Sequence, residues 1–203
     1  MTGRIHSLFP VPIYVKEIDR EFTKKELKFI KDQEKHCMAN EGNRNTSDYY
    51  ILKRKELKDI RKFIEQSCQE YLDNVISPAN DIKFYITESW LNYTREDQYH
   101  HVHSHPNSIM SGVLYIDSDQ DSIKFTTPHG YKRLKPQVKN FNVWNSDTWN
   151  FPVNTGQLIM FPSETIHQVD RKKGKNVRTS LAFNTFYRGV IGEGPGLTEL
   201  VLK

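Results

Sequence analysis

The chain has 203 residues, enough for one domain with a substantial core or for one domain with a helical extension. Hydrophobic residues make up only 36 %, but aromatic residues at 12 % restore buried area. The formal charge of +4 is mild: nucleic acid is not indicated as a partner, and no apolar run approaches the ~20 residues that would span a bilayer.

In chain order, residues 8–15 are apolar with two prolines, which marks an edge strand or an extended arm, because proline cannot donate to a strand ladder. Nothing in the opening residues has the apolar core of a signal peptide, and Cys37 and Cys68 form no CxxC pattern. A cytoplasmic protein with two reduced thiols is therefore expected. Thr23-Lys24-Lys25-Glu26 fits a capping box, so a helix is expected from there to about Cys37, with Leu27, Ile30 and Phe29 turned inward. Residues 39–48, rich in Asn, Gly and Ser, read as a loop. A second amphipathic helix is expected from about Leu52 to Ile76 and ends at Ser77-Pro78. Lysines spread along these helices account for most of the positive charge and read as solvated faces.

From Asp81 the texture becomes β. Residues 82–93 alternate, a histidine-bearing strand follows, and residues 109–116 form a buried strand. Short strands are expected at 122–126, 158–161 and 165–169, and a strong last strand at 177–187. Residues 127–142, with His129, read as a long surface loop. No repeat and no linker divides the chain. The expectation is one domain over 1–203, with an arm and helices in 1–80, a core in 81–190 and a tail in 191–203. Its fold class is an all-β core with a helical face (α+β): a double-stranded β-helix, or jelly roll, with two N-terminal helices packed on one sheet.

Four of the eight histidines fall within residues 100–105. In a regular strand, residues two apart share a face, so His101, His103 and His105 would lie together and His100 on the other, exposed side. Imidazoles side by side on a rigid strand are teeth of a metal claw, and a further tooth must come from elsewhere. His167, on a late strand just past a turn, is the best placed, since an early His-x-His strand and a late His can meet in one mouth of a jelly roll. Arg178 and Ser180 share a face of the last strong strand. A guanidinium there would hold a carboxylate in bidentate fashion, which suits a dicarboxylate co-substrate. Asn92 and Tyr115 are further candidates for lining that pocket. The pairs His101/His103 and His103/His105 both remain open as the ligating register. The bland reading is an adventitious metal patch or a pH-sensitive surface; the later His and Arg argue against it.

These residues resemble the iron(II)- and 2-oxoglutarate-dependent oxygenases, most closely a bacterial and phage subgroup. The resemblance rests on Trp90-Leu91-Asn92, His103-Ser104-His105-Pro106-Asn107-Ser108 and Ser111-Gly112-Val113-Leu114-Tyr115. It continues in Gly156-Gln157-Leu158-Ile159-Met160-Phe161-Pro162-Ser163, in His167, and in Arg178-Thr179-Ser180-Leu181-Ala182-Phe183-Asn184. It extends over nearly the whole chain, and its motifs are specific in combination though weak singly. It implies Fe(II) held by His103, His167 and His105, with 2-oxoglutarate as co-substrate. Arg178 would take its far carboxylate, Ser180 would add a hydrogen bond, and O2 would drive hydroxylation of an unactivated C–H bond.

The chain departs from the wider superfamily at His105, where Asp or Glu is usual. Three neutral imidazoles leave the ion at +2 instead of +1. Two other classes therefore stay open: a three-His dioxygenase that does not use 2-oxoglutarate, and a non-catalytic jelly-roll binding or structural protein. The substrate is not legible; a small molecule, a peptide or a nucleotide would each suit the aromatic and basic segments near the mouth. The arm and the Gly-rich tail suit packing on a second copy.

Overall fold

The computed structural model describes residues 3–119, 121–127, 136–194, 196 and 198–203. Half of the loop expected over 127–142, residues 128–135 with His129, lies outside the described residues. The described part is two antiparallel sheets and two helices, in the order β1(Tyr14–Glu17), α1(Lys24–Gln33), β2(Cys37–Ala39), β3(Arg44–Thr46), α2(Lys58–Tyr71), β4(Ile82–Thr94), β5(His100–His103), β6(Met110–Asp117), β7(Asp121–Thr126), β8(Thr148–Val153), β9(Gln157–Pro162), β10(Ile166–Val169), β11(Arg178–Ile191) and β12(Leu200–Leu202). The larger sheet runs β1-β9-β6-β11-β4-β3-β2, with β12 added to β11, and the smaller runs β5-β10-β7-β8. This is the expected jelly-roll architecture as two facing open sheets. None of the helices in the described residues is long and apolar enough to cross a membrane.

The layers follow from strand alternation. Leu181 and Phe183 of β11, Leu91 and Tyr93 of β4 and Leu114 of β6 point one way and pack with Ile60, Ile64, Cys68 and Tyr71 of α2. On the opposite face Tyr115, Ile159 and Phe161 meet Ile123, Phe125 and Val153 of the smaller sheet. The larger sheet is thus covered on both faces. That is why β11, paired with β4 and β6, is buried without a break from Arg178 to Thr185.

Helix α1 starts as its sequence directs. The Thr23 hydroxyl accepts from the Glu26 N–H at 3.2 Å, and the Thr23 N–H donates to the Glu26 carboxylate at 2.7 Å. Arg20 also donates twice to that carboxylate, which explains a buried glutamate on the inner face beside Ile30. Leu27, expected inward, is 44 % exposed. The helix is shorter than expected, because a 3₁₀ turn at Glu34–His36 leads into β2. The loop expected over 39–48 holds a hairpin, β2–β3, that extends the larger sheet beyond β4. Two three-residue strands are too short to show a period, and their turn composition dominates the reading. The second helix likewise begins with 3₁₀ turns and reaches regular α geometry only at Lys58. It ends in a π turn, Leu72–Ile76, closed by Ser77 in the left-handed conformation.

Below the loop that follows β5, a hydroxyl chain ties three strands together. Ser108 and Ser163 hydroxyls lie 2.7 Å apart, Ser163 and Ser111 hydroxyls 2.8 Å apart, and Ser111 donates to Asn184 Oδ1 at 2.8 Å. The His105 N–H donates to the Ser163 carbonyl at 2.9 Å, so this network also fixes the loop carrying His105. Gly112 lies against the Phe183 ring: a Cβ there would stand 2.3 Å from Cζ and 3.0 Å from Met160 Cγ. Gly112→Ala is therefore expected to lower the unfolding free energy by about 1–3 kcal/mol through overpacking, measured as a lower urea midpoint at unchanged slope.

Candidate metal centre

Strands β5 and β10 pair so that His103 stands opposite His167. The next pair is His100 opposite Val169, three residues back on β5 against two forward on β10. One extra residue is therefore accommodated on β5 as a β-bulge. The bulge corrects the expected facing: His100 takes the inward place that a regular strand would give His101. It is half-buried, not exposed, and its ring stacks on that of His103 at 4.6 Å. Val102, at the bulge, is 58 % exposed.

His103, His105 and His167 converge, with ring centroids 4.2 Å apart for His103–His167, 5.0 Å for His103–His105 and 5.2 Å for His105–His167. One ligand nitrogen from each lies within 4.8 Å of the others. His100, His101 and His103 form a second such triplet, which brings His101 beside His103 but without His167. Apolar rings wall the first triplet: Phe161 sits 4.7 Å from His167 and Trp90 5.9 Å from His105.

Two imidazoles are locked in the tautomer that a metal needs. His103 Nδ1–H donates to the His101 carbonyl at 2.8 Å, and His167 Nδ1–H donates to the Thr165 carbonyl at 2.9 Å. A carbonyl only accepts, so each Nδ1 carries the proton and each Nε2 offers its lone pair. Burial, with the neighbouring imidazoles, lowers the His105 value to about 4 and the His167 value to about 3, and burial lowers His103 as well. Burial and the surrounding histidines lower His100 to about 2. At neutral pH the cluster is uncharged and ready to ligate.

The expected anion clamp lies on the inner face of the larger sheet. Arg178 is 2 % exposed. Its Nη2 donates to the Thr94 hydroxyl at 3.2 Å, while its Nε and Nη1 have no partner. Ser180 lies between Asn92 of β4 and Tyr115 of β6 in one cross-strand row, beside Arg178. The Asn92 Oδ1 is also buried without a partner, and burial pushes the Tyr115 phenol up to about 12 against the pull of Arg178. The seven residues expected at the site therefore lie in two groups, His103, His167 and the loop residue His105 at the smaller sheet and Arg178, Ser180, Asn92 and Tyr115 on the larger one. Three residues went unforeseen. Thr94 sits two positions beyond Asn92 on the same strand face, a signal that was available. Asn45, opposite Asn92 and with its own Oδ1 unpaired, belongs to the hairpin that the sequence concealed. His100 was misassigned because a bulge leaves no trace in a period-two reading.

The residues present fit a dication and a dicarboxylate. The first group offers three neutral nitrogen donors, and the second offers a buried guanidinium with two unpaired nitrogens. Each orphaned buried donor costs roughly 1–3 kcal/mol, and more when charged, until an anion occupies it. Arg178→Met is therefore expected to leave the ligand-free protein as stable as the wild type or more so, by up to about 3 kcal/mol, in chemical denaturation. A second expectation concerns pH. Native values below the ordinary 6.5 mean that the unfolded chain binds protons that the native cluster refuses. Stability of the metal-free protein is then full above pH 6.5 and falls as pH drops through 6.5 toward 4 and 3, read as a declining thermal midpoint.

Residues 88–184, which carry both groups apart from Asn45, match the family model described as "Putative 2OG-Fe(II) oxygenase". The fold is similar to that of HygX from Streptomyces hygroscopicus, solved with nickel, 2-oxoglutarate and hygromycin B bound: 11 % identity over 86 % of this chain and 82 % of that one, TM-score 0.58. It is similar to a Pseudomonas putida prolyl-4-hydroxylase at 15 % identity, over 88 % of this chain and 94 % of that one, TM-score 0.56. A Burkholderia pseudomallei oxidoreductase of the 2OG-Fe(II) oxygenase family aligns at 12 % identity over 79 % and 76 %, TM-score 0.55. No curated protein sequence matches the chain.

Proposed function

We propose that this chain is an iron(II)- and 2-oxoglutarate-dependent oxygenase, the family whose model its residues 88–184 match, in which His103, His105 and His167 hold the iron and Arg178 the co-substrate, for hydroxylation of an organic substrate. When bound, the iron and 2-oxoglutarate supply the oxidative decarboxylation that turns O2 into an oxidant for a C–H bond. The chain's own residues do the rest. The Thr165 and His101 carbonyls hold two imidazoles with Nε2 bare. Arg178 takes the far carboxylate of the co-substrate with its guanidinium, whose Nε and Nη1 lack partners and whose Nη2 is steadied by the Thr94 hydroxyl. Ser180, with Asn92 and Tyr115 on either side in its row, completes the polar wall of that pocket. Trp90 and Phe161 keep water from the ligands.

The observation that carries this reading is the buried, two-thirds unpaired guanidinium of Arg178. A structural arginine at that depth would be fully paired. The similarly folded HygX of Streptomyces hygroscopicus was solved with 2-oxoglutarate bound, which supports 2-oxoglutarate as the co-substrate. Substrate reaches the site through a cavity of about 490 Å³ lined by Tyr99, His100, His101, Gln168 and Arg171 among others. The free thiols of Cys37 and Cys68 accord with a reducing, cytoplasmic setting.

The test is an anaerobic titration of the Fe(II)-loaded protein with 2-oxoglutarate, followed by the visible charge-transfer band. The wild type is expected to develop the band. Arg178→Met is expected to weaken 2-oxoglutarate binding by at least about tenfold while keeping its iron, the loss of a charge-assisted bidentate pair. His105→Ala is expected to lower iron content. Stoichiometric iron without a band would overturn the co-substrate reading and favour a three-His dioxygenase.

A further inference from the structure

Two of the five clustered histidines, His100 and His101, take no part in the site proposed above. They are not scattered. Their ring centroids lie 4.6 Å and 4.7 Å from that of His103 and 5.2 Å from each other. One ligand nitrogen of each, with one of His103, falls within 4.8 Å of the others. The bulge in β5 creates this grouping, because it turns His100 inward beside His103. The two triplets differ in access. His100 and His101 line the open cavity of about 490 Å³, whereas His103, His105 and His167 do not. His101 Nδ1 faces the Glu41 carbonyl at 3.4 Å, which favours the tautomer with Nε2 free.

We propose that His100, His101 and His103 form a second, outer metal site, at the mouth of the cavity, for a divalent transition ion that favours imidazole, such as Zn(II) or Co(II). The Nδ1 of His103 is engaged with the His101 carbonyl, so only Nε2 is available and it serves one ion at a time. The two sites are therefore mutually exclusive: the chain holds one ion in either of two positions. Three neutral nitrogens and no carboxylate make the outer triplet a poor match for hard ions such as Mg(II) and a good one for Zn(II), which stands above Fe(II) in the affinity order for such donors. An ion held there withholds His103 from the inner site and blocks iron loading. The inference stands on the geometry of the imidazoles and not on the oxygenase reading. A protein that binds Co(II) at the outer triplet but no 2-oxoglutarate would sink the latter and leave the former.

The experiment is a Co(II) titration of the metal-free full chain, read by d–d absorption and by bound-metal analysis. Each variant is first checked for native circular dichroism. The wild type is expected to bind one equivalent. His167→Gln disables the inner triplet and is expected still to bind one equivalent, with an altered spectrum. Adding His100→Gln and His101→Gln to it is expected to weaken binding by more than about tenfold, whereas those two changes alone leave one equivalent at the inner triplet. His105→Ala, on a loop and outside the β5–β10 pairing, repeats the test without touching a buried strand residue. Two equivalents in the wild type would overturn the sharing of His103. Absence of binding in folded His167→Gln and His105→Ala, or residual binding indifferent to loss of His100 and His101, would overturn the outer site.

Discussion

The constraint on which this structure turns is the alternation of β11. It is paired along its inner half with both β4 and β6, so neither of its faces is free. Leu181 and Phe183 must then go to the helices, and Arg178, Ser180, Ala182 and Asn184 must go to the space between the sheets. A slip of one residue would exchange the two sets, placing a guanidinium in the helix-facing core and phenylalanine at the polar wall. The apolar packing of α2 therefore holds the register of the polar residues on the far side of the same strand. Stability and site geometry are coupled through a two-residue period, with no direct contact required.

The imidazole cluster is built on a different principle. Its strand, β5, has four residues and an edge position, and regular pairing does not determine it. What fixes it is local. The bulge sets the inward direction of His100, the Ser163 carbonyl fixes the backbone at His105, and backbone carbonyls fix the tautomers of His103 and His167. The Ser108–Ser163–Ser111–Asn184 network runs from this loop to β11, so the cluster and the arginine are joined through buried hydroxyls. A rigid two-sheet frame with a locally tuned edge is what a site needs if it must present several nitrogens to one ion yet remain open on one side.

Much of this was legible in the sequence, and the parts that were not share a cause. The longer strands announce themselves through alternation or an apolar run, and β4, β6 and β9 lie close to their expected bounds, while β11 runs four residues past its expected end and the six-residue β8, rich in Trp and Asn, gave no such signal. The capping box at Thr23 was legible because it is a local rule with two reciprocal hydrogen bonds. The β2–β3 hairpin was hidden: three-residue strands carry no period, and Asn40-Glu41-Gly42-Asn43 reads as a loop whether or not strands flank it. His100 was misassigned for the related reason that a bulge changes facing without changing composition. Residues located by strand periodicity in the long paired strands lie where expected, whereas Leu27, placed inward on α1, is exposed. Residues located by a local irregularity do not lie where expected, and Asn45 was lost with the hairpin that carries it.

The substitution of an imidazole for the usual carboxylate at position 105 has an electrostatic consequence that joins the two halves of the site. Around the inner triplet the three imidazoles would supply no negative charge to an ion. A dication held there would stand at +2, and Arg178 adds a further positive charge in the same buried space. In a low-dielectric interior such an excess is costly, and the cost falls only when anionic charge enters. A carboxylate at 105 would remove part of it permanently. Without one, a dicarboxylate that reached both the ion and the guanidinium would supply the compensation for both. Ion and dianion should then stabilise each other's binding more strongly here than where a protein carboxylate already neutralises half of the metal charge. The unpaired nitrogens of Arg178 and the absent carboxylate are two aspects of one arrangement, a cavity whose charge balance is left to its ligand.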